Sequence, residues 1–191
     1  MWLTSRQLEE MGFSSIGKNV LVSDKASFYN CPKIKLGNNI RIDDFCVISA
    51  GEGGIEIGNH VHIAVYASLI GAGKITISDF CGISSKVAIY SSNDDYSGAF
   101  LTGPTISSEY TNVHHADVFL DKHVVIGSGS VLLPGVAVGL GTAVGALSLV
   151  RHSCKPFGIY VGNPARFLKE RRQDLLKLEE SFLREKSESL I

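Results

Sequence analysis

Aliphatic residues recur every six positions over much of this 191-residue chain. From 120 to 150 the step of six is unbroken, at Leu120, Ile126, Leu132, Val138, Val144 and Val150. Upstream it runs in groups of three: Leu36, Ile42, Ile48; Ile57, Ile63, Leu69; Ile77, Ile83, Ile89; and, more weakly, Ile16, Val22, Phe28. A helix repeats its apolar positions every 3.6 residues and a strand every 2, so neither element alone explains this step.

Three steps of six make one coil of a triangular solenoid, with a short strand on each side. The aliphatic residue of each hexad points inward, and the coils stack so that backbone hydrogen bonds run from coil to coil. The sequence therefore predicts an all-β parallel β-helix of hexapeptide repeats over residues 13–164, within one domain. The periodicity leaves the handedness open.

Three segments lie outside the repeat. Thr4 and Gln7 can form a capping box, which predicts a short N-terminal helix within residues 1–12. Residues 90–117 interrupt the repeat, and we expect this long aromatic-containing loop to be functional. Spaced leucines and a phenylalanine among charged residues predict a C-terminal helix within residues 165–191.

Composition excludes several classes of protein. The 18 basic and 19 acidic residues give a net charge of −1, so nothing steers the chain to nucleic acid or to an anionic membrane. Residues 124–150 lack charge, but their glycines, their proline and the step of six argue against a membrane span. The four cysteines form no CxxC pair, and the N-terminus carries no secretory signal pattern. We therefore expect reduced thiols and a cytoplasmic protein.

Two stretches carry a resemblance to a known family: HVVIGSGSVLLPGVAVGLGTAVGALSLV at 123–150 and GIYVGNPARFLKER at 158–171. The chain resembles the left-handed β-helix acyltransferases, in the branch of maltose and galactoside O-acetyltransferases and nucleotide-sugar N-acyltransferases. The resemblance implies a left-handed coil and a homotrimer with active sites between subunits. It also implies acetyl-CoA or another short acyl-CoA as co-substrate, with no metal required. The implied acceptor is a sugar or nucleotide sugar used in surface-polysaccharide biosynthesis.

The resemblance also implies where coenzyme A binds. Small residues match positions that contact the pantetheine arm, because an amide-bearing arm lies flat only where no side chain obstructs it. Arg166 matches a basic residue near the nucleotide phosphates. Arg151 and His152 stand where the family commonly has Thr-Lys, and Arg151 is expected to take the phosphate role. The implied cofactor-binding residues are Ser128, Gly145, Ala146, Arg151, His152 and Arg166.

The catalytic position departs from the O-acetyltransferases. They place a histidine at the mouth of the long loop, where this chain has Asp94, and the mouth segment SSNDDYSG contains no histidine. An ordinary aspartate titrates near about 3.9 and an imidazole near about 6.5, so a carboxylate is a poor base toward a sugar hydroxyl. It can still hold and orient an amino group, which favours N-acylation, with Asn93 beside it as a substrate contact. The alternative is that Asp94 and Asp95 only cap a turn.

Other residues compete for roles at the site. His115, next to His114 at the far end of the loop, can fold back as a catalytic base, which would favour O-acetylation. Ser84 and His62 face outward beside inward isoleucines, and both are predicted to contact the substrate.

Two alternatives from other classes stay open. One is a zinc enzyme of the carbonic-anhydrase kind, with ligands drawn from His60, His62, His114, His115 and His123. However, the histidines show no set of three at coil-length spacing. The other is a catalytically inactive structural solenoid.

Overall fold

The predicted hexads form a parallel β-helix with three faces. The structure, a computed structural model, describes the backbone of residues 1–188 and the side chains of residues 1–185. The first face is a sheet of six strands: β1 (Ser15–Ile16), β4 (Ile34–Leu36), β7 (Ile55–Ile57), β10 (Ile75–Ile77), β15 (Val118–Leu120) and β18 (Ala137–Val138). The third face is also six-stranded: β3 (Ser27–Tyr29), β6 (Val47–Ala50), β9 (Ser68–Gly71), β12 (Ala88–Tyr90), β17 (Val131–Leu132) and β20 (Leu149–Val150).

The second face carries the residues of most interest for function. It is a sheet of eight strands: β2 (Val20–Val22), β5 (Ile40–Ile42), β8 (His62–Ile63), β11 (Gly82–Ile83), β16 (Val125–Ile126), β19 (Ala143–Val144), β21 (Gly158–Val161) and β22 (Arg166–Glu170). All strands of this face pair in parallel except β22, which returns antiparallel to β21. Residues about twenty apart in sequence are therefore neighbours on adjacent coils.

The hexad aliphatics form three columns inside the coil. One column runs through Val22, Ile42, Ile63, Ile83, Ile126 and Val144, each in register with the next. These side chains are at most 3% exposed, and burying each aliphatic side chain stabilises the fold by about 1.5–3 kcal/mol. The inward assignment made from the sequence is confirmed, and the weakest group of three, at the open N-terminal end, is also the least buried: Ile16 and Phe28 are only half-buried.

The N-terminal helix is present as predicted. Helix α1 (Ser5–Glu10) has the Thr4–Gln7 capping box, in which each side chain satisfies the backbone N–H of the other residue. Its one buried residue, Leu8, closes the N-terminal end of the hydrophobic core.

The C-terminal segment differs from the prediction at its start. Helix α2 (Leu175–Glu188) begins ten residues later than predicted, because residues 166–170 form β22 against β21 instead. Phe167 on β22 packs edge-on against Tyr160, and Arg171 then donates from Nη1 to the carbonyls of His123 and Gly141, at 2.9 Å each. The end of the predicted helix, residues 189–191, lies outside the described residues.

Helix α2 covers one corner of the coil. At this corner the rings of His60, Phe80 and His123 stack at 4.8 and 5.1 Å, one ring per coil. Glu179 of α2 accepts a hydrogen bond from Nε2 of His123 at 2.7 Å and from Nζ of Lys122 at 2.6 Å. Within residues 1–188, no helix is both long and apolar enough to cross a membrane.

The interrupting loop is anchored by a small hairpin. Strands β13 (Ser92–Asn93) and β14 (His114–His115) pair antiparallel directly after β12, so the irregular part is residues 94–113. It contains one 3-10 turn (Ser108–Tyr110), and a similar turn (Cys31–Lys33) precedes β4. The hairpin holds the two ends of the loop together beside the third face.

Candidate active site

Three of the predicted residues line one groove on the second face. Ser84 follows β11, His62 opens β8 on the coil before, and Ser128 follows β16 on the coil after. Together with Gly82 and Ser85 they line a groove of about 280 Å³, called the Ser84 groove below. The lining is small and polar, so backbone and hydroxyl groups are accessible to a ligand. The structure thus places a predicted acceptor contact, Ser84, beside a predicted coenzyme A contact, Ser128.

His62 is held by a carboxylate that the sequence analysis missed. Its Nε2 lies 2.8 Å from Oδ2 of Asp43, and the other oxygen of Asp43 accepts from Nε of Arg41 at 2.7 Å. The Asp43 side chain is 15% exposed, against 50% for His62. Burial by itself would raise the pKa of Asp43, but the hydrogen bonds from His62 and Arg41 outweigh it and hold the pKa below its usual value. Asp43 is therefore a charged acceptor at neutral pH.

The two aspartates at the loop mouth have different environments. Asp95 accepts from the hydroxyl and the backbone N–H of Ser97 and from Asn112 across the loop, and the Ser97 bonds first of all lower its pKa. Asp95 therefore shapes the loop. The Asp94 side chain is exposed and makes no hydrogen bond or ion pair with any residue that the structure describes. The turn-capping alternative thus fits Asp95 and leaves Asp94 without a structural role.

Asn93 and the paired histidines lie in the hairpin. Asn93 is opposite His114, and its Nδ2 donates to the backbone carbonyl of Asp94 at 3.0 Å. The mouth segment itself holds no histidine, but β14 folds back and brings His115 opposite Ser92. Nδ1 of His115 lies 2.7 Å from Oγ of Ser92, so only Nε2 is left to meet a substrate. The pairing joins residues 23 apart through a hairpin that the repeat pattern does not reveal.

The predicted coenzyme A residues lie on two surfaces. Ser128 accepts the backbone N–H of Leu147, next to Ala146, at 2.9 Å, and Gly145 donates to the carbonyl of Tyr160 on the following coil. Strand β22 then places Arg166 opposite Val161. Ser128, Ala146 and Arg166 are all exposed. Because these backbone hydrogen bonds join neighbouring coils, the three residues lie along one surface of the last coils.

Arg151 and His152 lie apart from Arg166, and Gly145 is packed against the next coil. Arg151 and His152 are exposed on the turn after β20, which belongs to the third face, whereas the strand of Arg166 belongs to the second. Gly145 has a packing reason for its size, since a Cβ there would lie 2.7 Å from Cγ1 of Val161. A small residue at 145 is thus required by the fold itself.

A second groove lies elsewhere and contains none of the predicted residues. It measures about 600 Å³ and runs along the first face. Of its charged lining residues, Glu56 is paired with Lys35 and also with nearby Lys74, at 2.9 Å each. The smaller Ser84 groove is the candidate active site because it brings three of the predicted residues together.

The zinc alternative lacks a ligand set in the part of the chain that the structure describes. No three His, Cys, Asp or Glu side chains converge there in a geometry that could hold a metal ion. His60 and His123 stack on Phe80, and His62 is bonded to Asp43. The five candidate histidines are thus distributed among a structural corner, the Ser84 groove and the β13–β14 hairpin.

Comparison with known proteins identifies the family. No protein-family model matches the chain. A curated relative from Escherichia coli, a dTDP-4-amino-4,6-dideoxy-D-glucose acyltransferase, is 57% identical over 181 residues, which cover 95% of this chain and 94% of the relative. The chain belongs to the dTDP-4-amino-4,6-dideoxyglucose acyltransferase family. The predicted class, an acyl-CoA-dependent sugar N-acyltransferase, is confirmed.

Solved structures agree with this family. AntD, an N-acyltransferase from Bacillus cereus in complex with dTDP and 3-hydroxybutyryl-CoA, superposes with a TM-score of 0.94 at 45% identity, over 97% of this chain and 98% of AntD. Its S84C mutant, in complex with dTDP-4-amino-4,6-dideoxyglucose and coenzyme A, gives 0.93 at 45% identity over 96% and 97% of the two chains. A maltose O-acetyltransferase from Clostridium difficile 630 gives 0.58 at 20% identity over 88% and 75%, a likeness of fold alone. The predicted left-handed β-helix and the acyl-CoA co-substrate are confirmed.

Proposed function

We propose that this protein transfers an acyl group from acyl-CoA to the 4-amino group of dTDP-4-amino-4,6-dideoxyglucose. The observation that carries the proposal is Asp94, an exposed carboxylate at the loop mouth without a partner among the described residues. A free carboxylate matches a sugar ammonium, whereas a sugar hydroxyl would need a stronger base. The E. coli relative, 57% identical, is named for this nucleotide sugar, which supports the choice of acceptor.

In the proposed reaction the sugar nitrogen attacks the thioester carbonyl carbon. The C–N bond forms, the C–S bond breaks, and coenzyme A leaves as its thiol. Asp94 orients the amino group, Asn93 is a second acceptor contact, and Ser84 donates a hydrogen bond to the bound substrates. AntD has been solved as S84A and D94N variants with coenzyme A bound, and this chain has serine and aspartate at the same numbers. His115, with Nδ1 engaged by Ser92, is the alternative base.

Coenzyme A is proposed to lie along the last coils, from the Ser84 groove to β22. Ser128, Gly145 and Ala146 would line the pantetheine arm. Arg166 would meet the nucleotide phosphates, because a guanidinium pairs well with phosphate oxygens. Arg151 and His152, on the neighbouring turn, are the further candidates for phosphate contact.

The assembly is proposed to be a homotrimer in the cytoplasm. Phe45 and Tyr66 stack at 5.0 Å on the corner that follows the second face, and they are 45% and 53% exposed. Exposed stacked rings are typical of a surface that another subunit covers. The four cysteines are free thiols, as expected in a reducing compartment. Light scattering should give three times the chain mass of 20.6 kDa, and a monomer would contradict the trimer.

Replacing the carboxylate tests the acceptor. Losing a charge-assisted hydrogen bond of about 1.5–3 kcal/mol should lower kcat/KM for the amino sugar by about ten- to a hundredfold in Asp94→Asn. Glu109→Gln, on an exposed carboxylate of the same loop, is the matched control and should resemble wild type. The proposal would be overturned by turnover of neutral sugars only, lost in His115→Ala and kept in Asp94→Asn.

Coenzyme A binding is tested by calorimetry. Arg166→Ala should weaken binding roughly tenfold or more, since an arginine–phosphate contact is charge-assisted. Lys169→Ala, an exposed cation on the same strand, is the control for a general loss of positive charge. Equal weakening in both variants would assign the effect to net charge and remove Arg166 from the site.

A further inference from the structure

Asp43 and His62 form a pair that joins two successive coils. Asp43 follows β5 and His62 opens β8, and the pairing of Arg41 with His62 in the sheet brings the two coils into register. Both oxygens of Asp43 are occupied, one by Arg41 and the other by His62, and Arg41 lies 5.3 Å from the ring of Trp2. The carboxylate is therefore fixed from one side and presents its remaining oxygen to the imidazole.

This contact determines which nitrogen of His62 carries the proton. A charged carboxylate only accepts hydrogen bonds, so Nε2 of His62 must be the donor. In the neutral imidazole Nδ1 then holds the lone pair, as in other histidines oriented by a carboxylate. Since His62 lines the Ser84 groove and is half-exposed, it is accessible from the side where the substrates are proposed to meet.

We infer that Asp43 is a positioning residue that keeps His62 as the proton acceptor of acyl transfer. The inference rests on the proposed function, in which the acceptor arrives as a sugar ammonium. The ammonium gives one proton to Nδ1 of His62, and its nitrogen gains the lone pair needed for attack. The C–N bond forms as the C–S bond breaks, and the second nitrogen proton goes to the leaving sulfur. His62 later returns its proton to water, while Asp94 holds the amino group in place.

The surroundings of His62 leave Asp43 as its one direct charged partner among the described residues. On the adjacent strand and turn of the preceding coil, residues 40–45, the charged groups are Arg41, Asp43 and Asp44. Asp44 is occupied by Lys25 at 2.9 Å and by the hydroxyl of Ser23. The following coil presents uncharged Gly82 in register with His62, and then Ser84. Asp44 is therefore a neighbouring carboxylate without a bond to the imidazole, which makes it a matched control.

Two variants and a spectrum test the inference. In Asp43→Asn we expect kcat to fall while the KM values of both substrates stay near wild type, and Asp44→Asn should keep the wild-type kcat. Nitrogen-15 NMR of the imidazole should show the Nε2–H tautomer of His62 in wild type and Asp44→Asn, and a mixture of tautomers in Asp43→Asn. If Asp43 has a merely structural role, kcat of folded Asp43→Asn stays at the wild-type value even where the tautomer changes.

Removing the proton acceptor itself gives the second test. His62→Gln should lower kcat by about 10²–10⁴-fold, the usual contribution of a general base. His62→Ala should regain part of its rate when free imidazole is added. The inference is overturned if Asp43→Asn keeps the wild-type kcat, or if folded His62 variants keep it. Failure of the proposed function gives another result: wild type then turns over no dTDP-linked amino sugar, whatever the tautomer of His62.

Discussion

Replacing Val138 by aspartate should abolish folding, because Val138 lies inside one of the three aliphatic columns. Its side chain is 0% exposed, and its strand neighbours on the adjacent coils are Leu120 and Cys154, both buried and uncharged. The substitution forfeits about 1.5–3 kcal/mol of apolar burial. It also buries a carboxylate without a partner, at an effective cost of several kcal/mol. Together these terms approach the whole stability of a typical domain, about 5–15 kcal/mol.

The strand itself supplies the control. Ala137 precedes Val138 on β18 and points outward, so Ala137→Asp adds the same charge to the same strand at a cost of about 1 kcal/mol at most. Urea unfolding followed by circular dichroism compares the two variants. If Val138→Asp yields no folded protein, Val138→Ala serves instead, and its free energy of unfolding should be about 2 kcal/mol lower than that of wild type. The reasoning is refuted if Val138→Asp unfolds cooperatively at the same urea concentration as Ala137→Asp.

Two further predictions concern helix α2 and the thiols. Glu179→Gln should lower the melting temperature at neutral pH. Burial alone would raise the pKa of Glu179, but hydrogen bonds from Lys122 and His123 hold it below its ordinary 4.5. The stability advantage of wild type is therefore complete above pH 4.5 and disappears as the pH falls through the lower folded pKa; an advantage that grows toward acid would contradict this. Burial raises the pKa of Cys81 to about 12, so in native protein iodoacetamide should label half-buried Cys31 before Cys81. In denaturant both thiols should be labelled. Equal labelling rates in native protein, measured by mass spectrometry, would show that the coil interior is open to the reagent.

The repeat was predictable because its physical cause is local and recurrent. Each hexad needs one inward aliphatic residue, and nearly every coil repeats that requirement. The C-terminal boundary was harder to predict, since residues 166–170 join the sheet through a turn and a return strand rather than through the repeat. Phe167 and Arg171 contact residues of the last coils that are distant in sequence, so no local pattern predicts these contacts.

The candidate site was predictable only in part. Ser84, His62 and Ser128 each stand one or two positions from an inward residue, so the repeat itself shows that they are neighbours on the second face. Asp43 was missed although it lies 19 residues before His62, about one coil, which is the spacing that brings two side chains into contact. The pairing of His115 with Ser92 could not be read from the repeat, because it follows from a hairpin that interrupts the repeat.

The central claim is acylation of an amine. The most direct measurement offers the purified enzyme acetyl-CoA with equal amounts of dTDP-4-amino-4,6-dideoxyglucose and the dTDP sugar that has a hydroxyl at the same carbon. Mass spectrometry before and after hydroxylamine treatment distinguishes an amide, which survives, from an ester, which is cleaved. We expect a single product, acylated on the amino sugar and resistant to hydroxylamine. An ester on the neutral sugar, with the amino sugar unchanged, would contradict it.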